Sequence, residues 1–398
     1  MEEGVRPVNS RDGKVRVGIV GCGAIANAHV LAYLSSPHVE LIGVFDSDGA
    51  RAEAFAAKHG TTAYPTLQAL IDLAPDLVSV ATPPGSHTQL TLALLAAGCS
   101  VLLEKPPTIN LADMDILLAA ESESAGSVYV VFQHRHGSGA RRAHSLLASG
   151  ALGVPQVAVC ETLWFRPDSY FLPDWRGNWA GEGGGPTLGH GIHQIDLLLH
   201  LMGDWDTIDA KASRIARPIE FEDVSMAIVT FANGALGSVV TSLLSPRETS
   251  RIRIDTTGGT LEVEHLYGYS DSDWSWFPAP EEVAAASNGR DPGMATTTHG
   301  NSDIGDAANP WAVSAGTDVQ SNHAAQIHHL IDDLVAGRPH ETTLSSTRPT
   351  MEFVTALYAS SLERASIRRS DLTPDRGFYH RLDGGLDADV VGRRLSVH

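Results

Sequence analysis

The chain has 398 residues, 43% apolar and 19% charged, which excludes a wholly disordered polymer and is too long for one ordinary core. Its 28 basic against 47 acidic side chains give a net charge of −19, so nucleic acid and anionic membranes are not expected as partners. Three scattered cysteines (Cys22, Cys99, Cys160), a polar N-terminus and no apolar run near the roughly 18 residues of a membrane span point to a soluble, cytoplasmic protein without disulfides.

Residues 14–21, KVRVGIVG, are β-branched and predict a strand, followed by a helix from Asn27. The pattern then alternates. Strands are predicted at 39–48, 76–84, 100–107 and 127–135, with helices at 49–60, 66–73, 86–97 and 111–125. Gly60 and Gly98 supply helix stops. Regular alternation predicts right-handed βαβ units and a doubly wound parallel sheet, a domain over 14–136 after a tail at 1–13.

Gly21-x-Gly23-x-x-Ala26 follows the first strand and opens the first helix, which is the dinucleotide fingerprint with Ala in its third place. Gly21 permits the turn, and Gly23 lets backbone approach a pyrophosphate held by the helix N-terminus around Ala24 and Ile25. Asp46 ends the second strand, 23 residues after Gly23, where a carboxylate accepts hydrogen bonds from an adenosine ribose. A charge there repels a 2′-phosphate, so NAD is the expected cofactor, although Ser47 and Arg51 leave room for NADP; the alternative for Asp46 is a helix N-cap.

Ligands of such sheets bind at the carboxyl ends of strands. Thr82, Pro83 and Pro84, with His87 just beyond, stand at one such end; Glu104 and Lys105 stand at another, and Gln133 at a third. All are cofactor candidates. A lysine beside a cationic nicotinamide and partly desolvated has a lowered pKa useful for proton transfer. The structural alternatives are a Lys105–Glu104 pair and a His87 that merely starts a helix.

Beyond residue 150 strands cluster, at 155–165, 208–216, 223–245 and 251–265, with hairpin turns at Asn233-Gly234 and Gly258-Gly259. This predicts an α+β domain over 137–370 with an open, mainly antiparallel sheet. A long Ser/Asp/Gly/Ala/Pro-rich loop is expected at 269–320, then helices at 322–337 and 347–365 and a tail at 371–398. Within this domain Gly181–Asp206, GEGGGPTLGHGIHQIDLLLHLMGDWD, sets His190 and His193 at the mouth of a helix. His193 and Asp196, three apart, share a helix face. Arg166, Trp175, Arg176 and Trp179 come just before, and aromatic faces with arginine forks suit a sugar carrying polar or anionic groups. His190 as a helix-cap imidazole and the aromatics as plain packing are the alternatives. A metal held by His190, His193 and Asp196 is the alternative for this stretch, but no metal is expected, because the Gly-rich entrance is atypical of a metal site and hydride transfer needs none.

The order GxGxxA, Asp46, Ala-Thr-Pro-Pro, Glu104-Lys105-Pro106 and then Gly-Gly-Gly-x7-His193-x2-Asp196 resembles the glucose–fructose oxidoreductase/inositol dehydrogenase (Gfo/Idh/MocA) family over roughly 14–365. The resemblance implies a Rossmann domain followed by an α/β domain whose sheet often pairs subunits, hence a homo-oligomer, dimer or tetramer. It implies NAD-linked hydride transfer on a sugar or polyol carbon, with the catalytic lysine at Lys105 and the catalytic histidine at His193. The family often has an aspartate four residues before that histidine; Gly189 stands there, and His190 or the substrate's own groups are candidates to replace it. Three functions follow. The first is a sugar or polyol dehydrogenase using Lys105 and His193 for the proton and Arg166, Trp175, Arg176, Trp179, His190, His193 and Asp196 for the substrate. The second is an NAD-dependent glycosidase that oxidises C3 transiently, eliminates, adds water and reduces, on a sulfonated or carboxylated sugar. The third is a non-catalytic NAD-binding sensor.

Overall fold

A computed structural model of the chain describes residues 13–280, 310–311 and 316–396. The first sheet has five parallel strands in the order β2-β1-β3-β4-β5: β1 Val15–Val20, β2 Val39–Phe45, β3 Leu77–Val80, β4 Ser100–Leu103 and β5 Val128–Val130. Their near-continuous apolar runs suit strands covered on both faces by α1 Ala26–Ser35, α2 Gly49–His59, α3 Leu67–Ile71, α4 His87–Ala96 and α5 Leu111–Glu123. Side chains of Asp48, Thr66 and Asn110 cap α2, α3 and α5, and Gly60 closes α2 in the left-handed conformation.

Three strands are shorter than their apolar runs suggest. β3 and β4 stop before Pro83-Pro84 and Pro106-Pro107, which lack the N–H that a ladder needs. β5 gives way to a 3-10 turn, Gln133–His136. These early stops leave irregular backbone at the carboxyl edge, where the candidate residues sit.

The second sheet has eight strands in the order β12-β11-β10-β6-β9-β8-β7-β13: β6 Pro155–Phe165, β7 Trp205–Ser213, β8 Val224–Phe231, β9 Leu236–Ser242, β10 Leu244–Thr256, β11 Gly259–His265, β12 Trp274–Pro278 and β13 Ile367–Arg368. Every pairing is antiparallel except β6 with β9, so the expected α/β architecture with a mainly antiparallel second sheet holds. α6 Ser138–Ala148 leads from the first sheet into β6, and the short α7 Trp179–Glu182 precedes the glycine segment. On one face Ala158, Cys160, Ala227 and Val229 share a core with α8 Ile192–Met202 and α10 Leu344–Glu363; on the other, Val157, Met226, Ile228 and Leu236 are exposed.

Three segments depart from the sequence reading. The helix near 322–337, α9 His323–Ala336, buries Ile327, Leu330, Ile331 and Leu334 in the core of Val15, Val17, Ile19 and Val30, so the chain returns to the first sheet. Residues 371–396 are folded rather than a tail: α11 Gly377–His380 and α12 Ala388–Leu395 bury Phe378, Tyr379, Leu382, Val391 and Leu395, sparse apolar groups spaced to share a face. Of the long loop at 269–320, the start is ordered as edge strand β12 with Trp274 buried, and most of the rest lies outside the described residues, as does the predicted N-terminal tail but for Gly13. Among the described residues no helix is long and apolar enough to cross a membrane.

Candidate active site

The fingerprint turn is built as a cradle. Gly21 has φ +91°, and a Cβ there would meet the Ala81 carbonyl oxygen at 2.7 Å, so the loop is pressed on the neighbouring strand end. At Gly23 nothing lies within 4 Å of the position a Cβ would take, and Ala24 and Ile25 are exposed while Ala26 is buried. No side chain caps the N-terminus of α1, which leaves its donors and positive end for an anion. Asp46 is buried, accepts from Cys22 N (2.8 Å) and Asp48 N (2.8 Å), and has Arg51 at 3.3 Å. The N-cap of α2 is Asp48, so Asp46 is not spent as a cap. These residues fit the pyrophosphate and ribose of a dinucleotide.

Around Lys105 the strand ends lock together. His87, a cofactor candidate, is instead wholly buried and bridges two loops, with Nδ1 2.8 Å from the Pro106 carbonyl and Nε2 2.9 Å from that of Thr82. Thr82, Pro83 and Pro84 stay at the rim, partly exposed. Glu104, also expected at the cofactor, turns inward: Oε1 accepts from His29 Nε2 (2.9 Å) and His323 Nε2 (3.1 Å), and Oε2 from the Lys105 N–H (3.2 Å). His29 in turn faces Ser79 at 3.0 Å, with Tyr33 on the same hydroxyl. The two imidazoles hold Glu104 well below the usual carboxylate range against the opposing effect of burial. Gln133 is also fully buried, donating to the Tyr267 hydroxyl. Glu104 and Lys105, consecutive residues just past the end of β4, point to opposite sides.

Lys105 points into the cleft, and its ammonium donates to the Gly189 carbonyl oxygen at 3.0 Å. Burial pulls its pKa below the ordinary range, the Glu104 carboxylate pushes back, and Arg176 lowers it further. Gly189 lies in a π-helical turn, Thr187–Gly191, that feeds α8; a Cβ there would meet nothing within 4 Å, so the site opens into space. A backbone carbonyl thus meets the lysine where the related family often has a carboxylate.

The upstream glycines serve packing. At Gly185 a Cβ would lie 2.5 Å from the Glu222 carboxyl, and Gly185 N donates to the Tyr358 hydroxyl (2.7 Å), which donates to Glu222 Oε1 (2.8 Å). Glu222 also accepts from Thr187 N at 3.1 Å, and burial pushes its carboxyl up to about 7. His193 packs edge-on against Phe132, His134 and Tyr267, with Nδ1 buried and unbonded. His190 packs against Trp164, with Nε2 3.2 Å from the Tyr170 hydroxyl. Burial first, then the Lys105 charge, hold both imidazoles well below the ordinary histidine range, so both are neutral.

Asp196 shares the His193 face of α8 but lies deeper and has no surface for a substrate hydroxyl. Its oxygens take Arg135 Nε (2.7 Å), Arg135 Nη2 and Thr350 Oγ1 (3.0 Å), at 0% exposure. Arg176 stacks on Tyr170 and Trp175 (4.0 and 4.1 Å), bonds the Tyr170 hydroxyl and reaches Glu182 at 3.3 Å. Arg166 lies over Trp164 at 4.8 Å and pairs with Glu248. Trp179 stands apart from this group, edge-on to Phe221 and Tyr358. Tyr267, His29, His323 and Glu222 join the site without having been singled out in the sequence. Only His29 carried a signal, as a lone imidazole on an apolar helix directly after the fingerprint.

The profile of the GFO/IDH/MocA oxidoreductase family, NAD-binding Rossmann fold, matches residues 15–132, and that of the GFO/IDH/MocA C-terminal domain matches residues 140–262. A D-glucoside 3-dehydrogenase of Escherichia coli (strain K12) is 29% identical over 280 residues, covering 64% of this chain and 78% of that protein. Oxidoreductase P35 of Formosa agariphila is 30% identical over 231 residues, covering 56% of this chain and 71% of that protein. The fold is similar to that of the WlbA dehydrogenase from Bordetella pertussis, solved with NADH and UDP-GlcNAcA, at a TM-score of 0.73 and 24% identity over 89% of this chain and 98% of that one.

Proposed function

The chain belongs to the GFO/IDH/MocA oxidoreductase family with its NAD-binding Rossmann fold, and from that premise we propose that it oxidises a secondary hydroxyl of a sugar or glycoside, C3 being the first position to test. The observation that carries the reading is the contact of Lys105 with Gly189, which joins the strand end of one domain to the helix mouth of the other, with His190 and His193 both under the lysine's charge.

The α1 N-terminus and Asp46 would hold the dinucleotide, and bound nicotinamide supplies the hydride acceptor. Lys105 donates a hydrogen bond to the substrate oxygen and stabilises the charge that develops there. His193, kept neutral, accepts the hydroxyl proton, a role worth about 10²–10⁴-fold. His190 with Tyr170, and Arg176 stacked on Trp175, orient the ring and its polar substituents. The exposed Val157, Met226, Ile228 and Leu236 on the open face of the second sheet suit pairing of two copies.

The test is a panel of sugars and glycosides incubated with protein and NAD, following NADH absorbance and aglycone release together. Substrate-dependent NADH supports the dehydrogenase. Aglycone release without accumulating NADH replaces it with redox-neutral glycoside cleavage, and a Lys105→Ala variant as active as the parent removes the proposed chemistry altogether.

A further inference from the structure

Away from the cleft, the 3-10 turn after β5, helix α9 and the loop that follows it meet at the junction of the two domains. Three ligand-type atoms face one another there. His136 Nδ1 lies 3.0 Å from His329 Nδ1 and 3.2 Å from Glu341 Oε1, and His329 Nδ1 lies 3.8 Å from Glu341 Oε1.

Protons satisfy this triangle poorly. Two imidazole nitrogens at that spacing share one proton, and the adjacent carboxylate oxygen then faces at least one lone pair. Glu341 Oε1 is buried with no hydrogen-bond partner, and the His136 residue that it faces is 1% exposed. The Glu104 cluster shows the contrast. Tyr33 donates to Ser79, Ser79 to His29, and His29 and His323 to Glu104, so every facing atom is used and no ion is called for.

The dimensions match a metal. Tetrahedral zinc with ligands at about 2.0–2.1 Å separates them by about 3.4 Å. The three observed edges, 3.0, 3.2 and 3.8 Å, bracket that spacing, and a point about 2.0 Å from all three atoms lies close to the triangle's centre. The surroundings match as well. His329 Nε2 faces Asp333 Oδ2 at 3.5 Å, and a ring proton on that side would leave Nδ1 bare for an ion, the arrangement of a carboxylate–histidine–metal triad. Asp333 is itself fixed by His340 Nδ1 (2.9 Å) and Arg338 Nε (3.0 Å), and the His340 ring stacks on His136. The side chains of His329 and Glu341 are each 30% exposed, which gives an ion a way in and room for a water as fourth ligand.

We propose that His136 Nδ1, His329 Nδ1 and Glu341 Oε1 bind one divalent transition-metal ion, zinc fitting best, as a clasp that fixes α9 to the turn between the domains. This site departs from the expectation of no metal, and it lies outside the cleft, in residues far apart in the chain. The test is titration of chelator-treated, tag-free, full-length protein with zinc chloride by calorimetry, with zinc-edge X-ray absorption on the loaded wild type. One zinc per chain is expected. His329→Ala and Glu341→Gln each weaken binding at least about 100-fold, Asp333→Asn weakens it about 10–100-fold, and His323→Gln leaves it unchanged. Absorption is expected to show two imidazoles and oxygen ligands without sulfur. Failure of the wild type to bind stoichiometrically, undiminished binding in both ligand variants, or a sulfur-containing shell overturns the proposal.

Discussion

Arg135 holds Asp196 with two nitrogens, Nε 2.7 Å from Oδ2 and Nη2 on Oδ1, and neither residue is more than 6% exposed. The pair binds the turn after β5 to α8 one helical turn below His193, so it sets where the imidazole stands. Removing one partner leaves an uncompensated buried charge, which costs about 3–5 kcal/mol. Asp196→Asn is therefore expected to lower the urea midpoint markedly with little change in the slope of unfolding, and any catalytic loss is expected in kcat rather than in substrate KM. A variant that folds as stably as the parent but binds sugar weakly would restore Asp196 to the substrate.

Lys105 and His193 should separate by pH. Burial lowers both pKa values, so His193 stays neutral, and fit to accept a proton, below the pH at which an ordinary histidine charges. The acid limb of kcat/KM is expected to lie below the usual histidine range, and the alkaline limb below the usual lysine range. Lys105→Ala is expected to lower kcat by about 10²–10⁴-fold with NAD affinity kept, because the cradle around Gly21 and Asp46 is untouched. His193→Asn should remove the acid limb along with most of the rate. An acid limb that persists in His193→Asn with the position unaltered would reassign the base.

The parts legible in the sequence are those written locally. The fingerprint turn, the Gly60 stop and the alternation of strand and helix depend on neighbours a few residues apart. Spacing also put His193 and Asp196 on one face, but spacing gives direction and not depth, and Asp196 is buried by an arginine 61 residues earlier that nothing in its surroundings announces. The sequence put Glu104 and His87 in a neighbourhood but not in an orientation, because the end of a strand names a region while each side chain chooses a side, and both side chains turn to partners inside the fold. The return of α9 to the first core rests on contacts across almost 300 residues, and the His136 cluster it creates on contacts across almost 200.

Asp46 provides a test of cofactor choice. Its carboxylate lies beside the fingerprint loop and repels a 2′-phosphate, whereas Arg51 at 3.3 Å is positioned to receive one once the carboxylate is gone. Asp46→Ser is expected to raise kcat/KM for NADP relative to NAD by about tenfold or more, equivalent to about 1.4 kcal/mol. Initial rates with both cofactors measure the ratio, and an unchanged ratio would place discrimination elsewhere.

Glu222 lies under the glycine segment, fully buried, with Tyr358 and Thr187 on Oε1 and Oε2 unbonded. Burial raises its pKa from 4.5 to about 7, and Tyr358, pushed well above 10, remains neutral beside it. A carboxyl with a raised folded pKa binds more protons folded than unfolded. Its contribution is therefore complete below about 4.5 and lost as pH climbs through about 7, a swing of about 3 kcal/mol. The urea midpoint is expected to fall between pH 5 and 8 by more than other groups account for, and Glu222→Gln, which cannot ionise, should flatten that window. Because Gly185 is pressed against this carboxyl, kcat should fall over the same range in the parent and less in the variant. Equal slopes for parent and Glu222→Gln would show that the group stays ionised in the fold, and the link between Glu222 and the glycine segment would be lost with it.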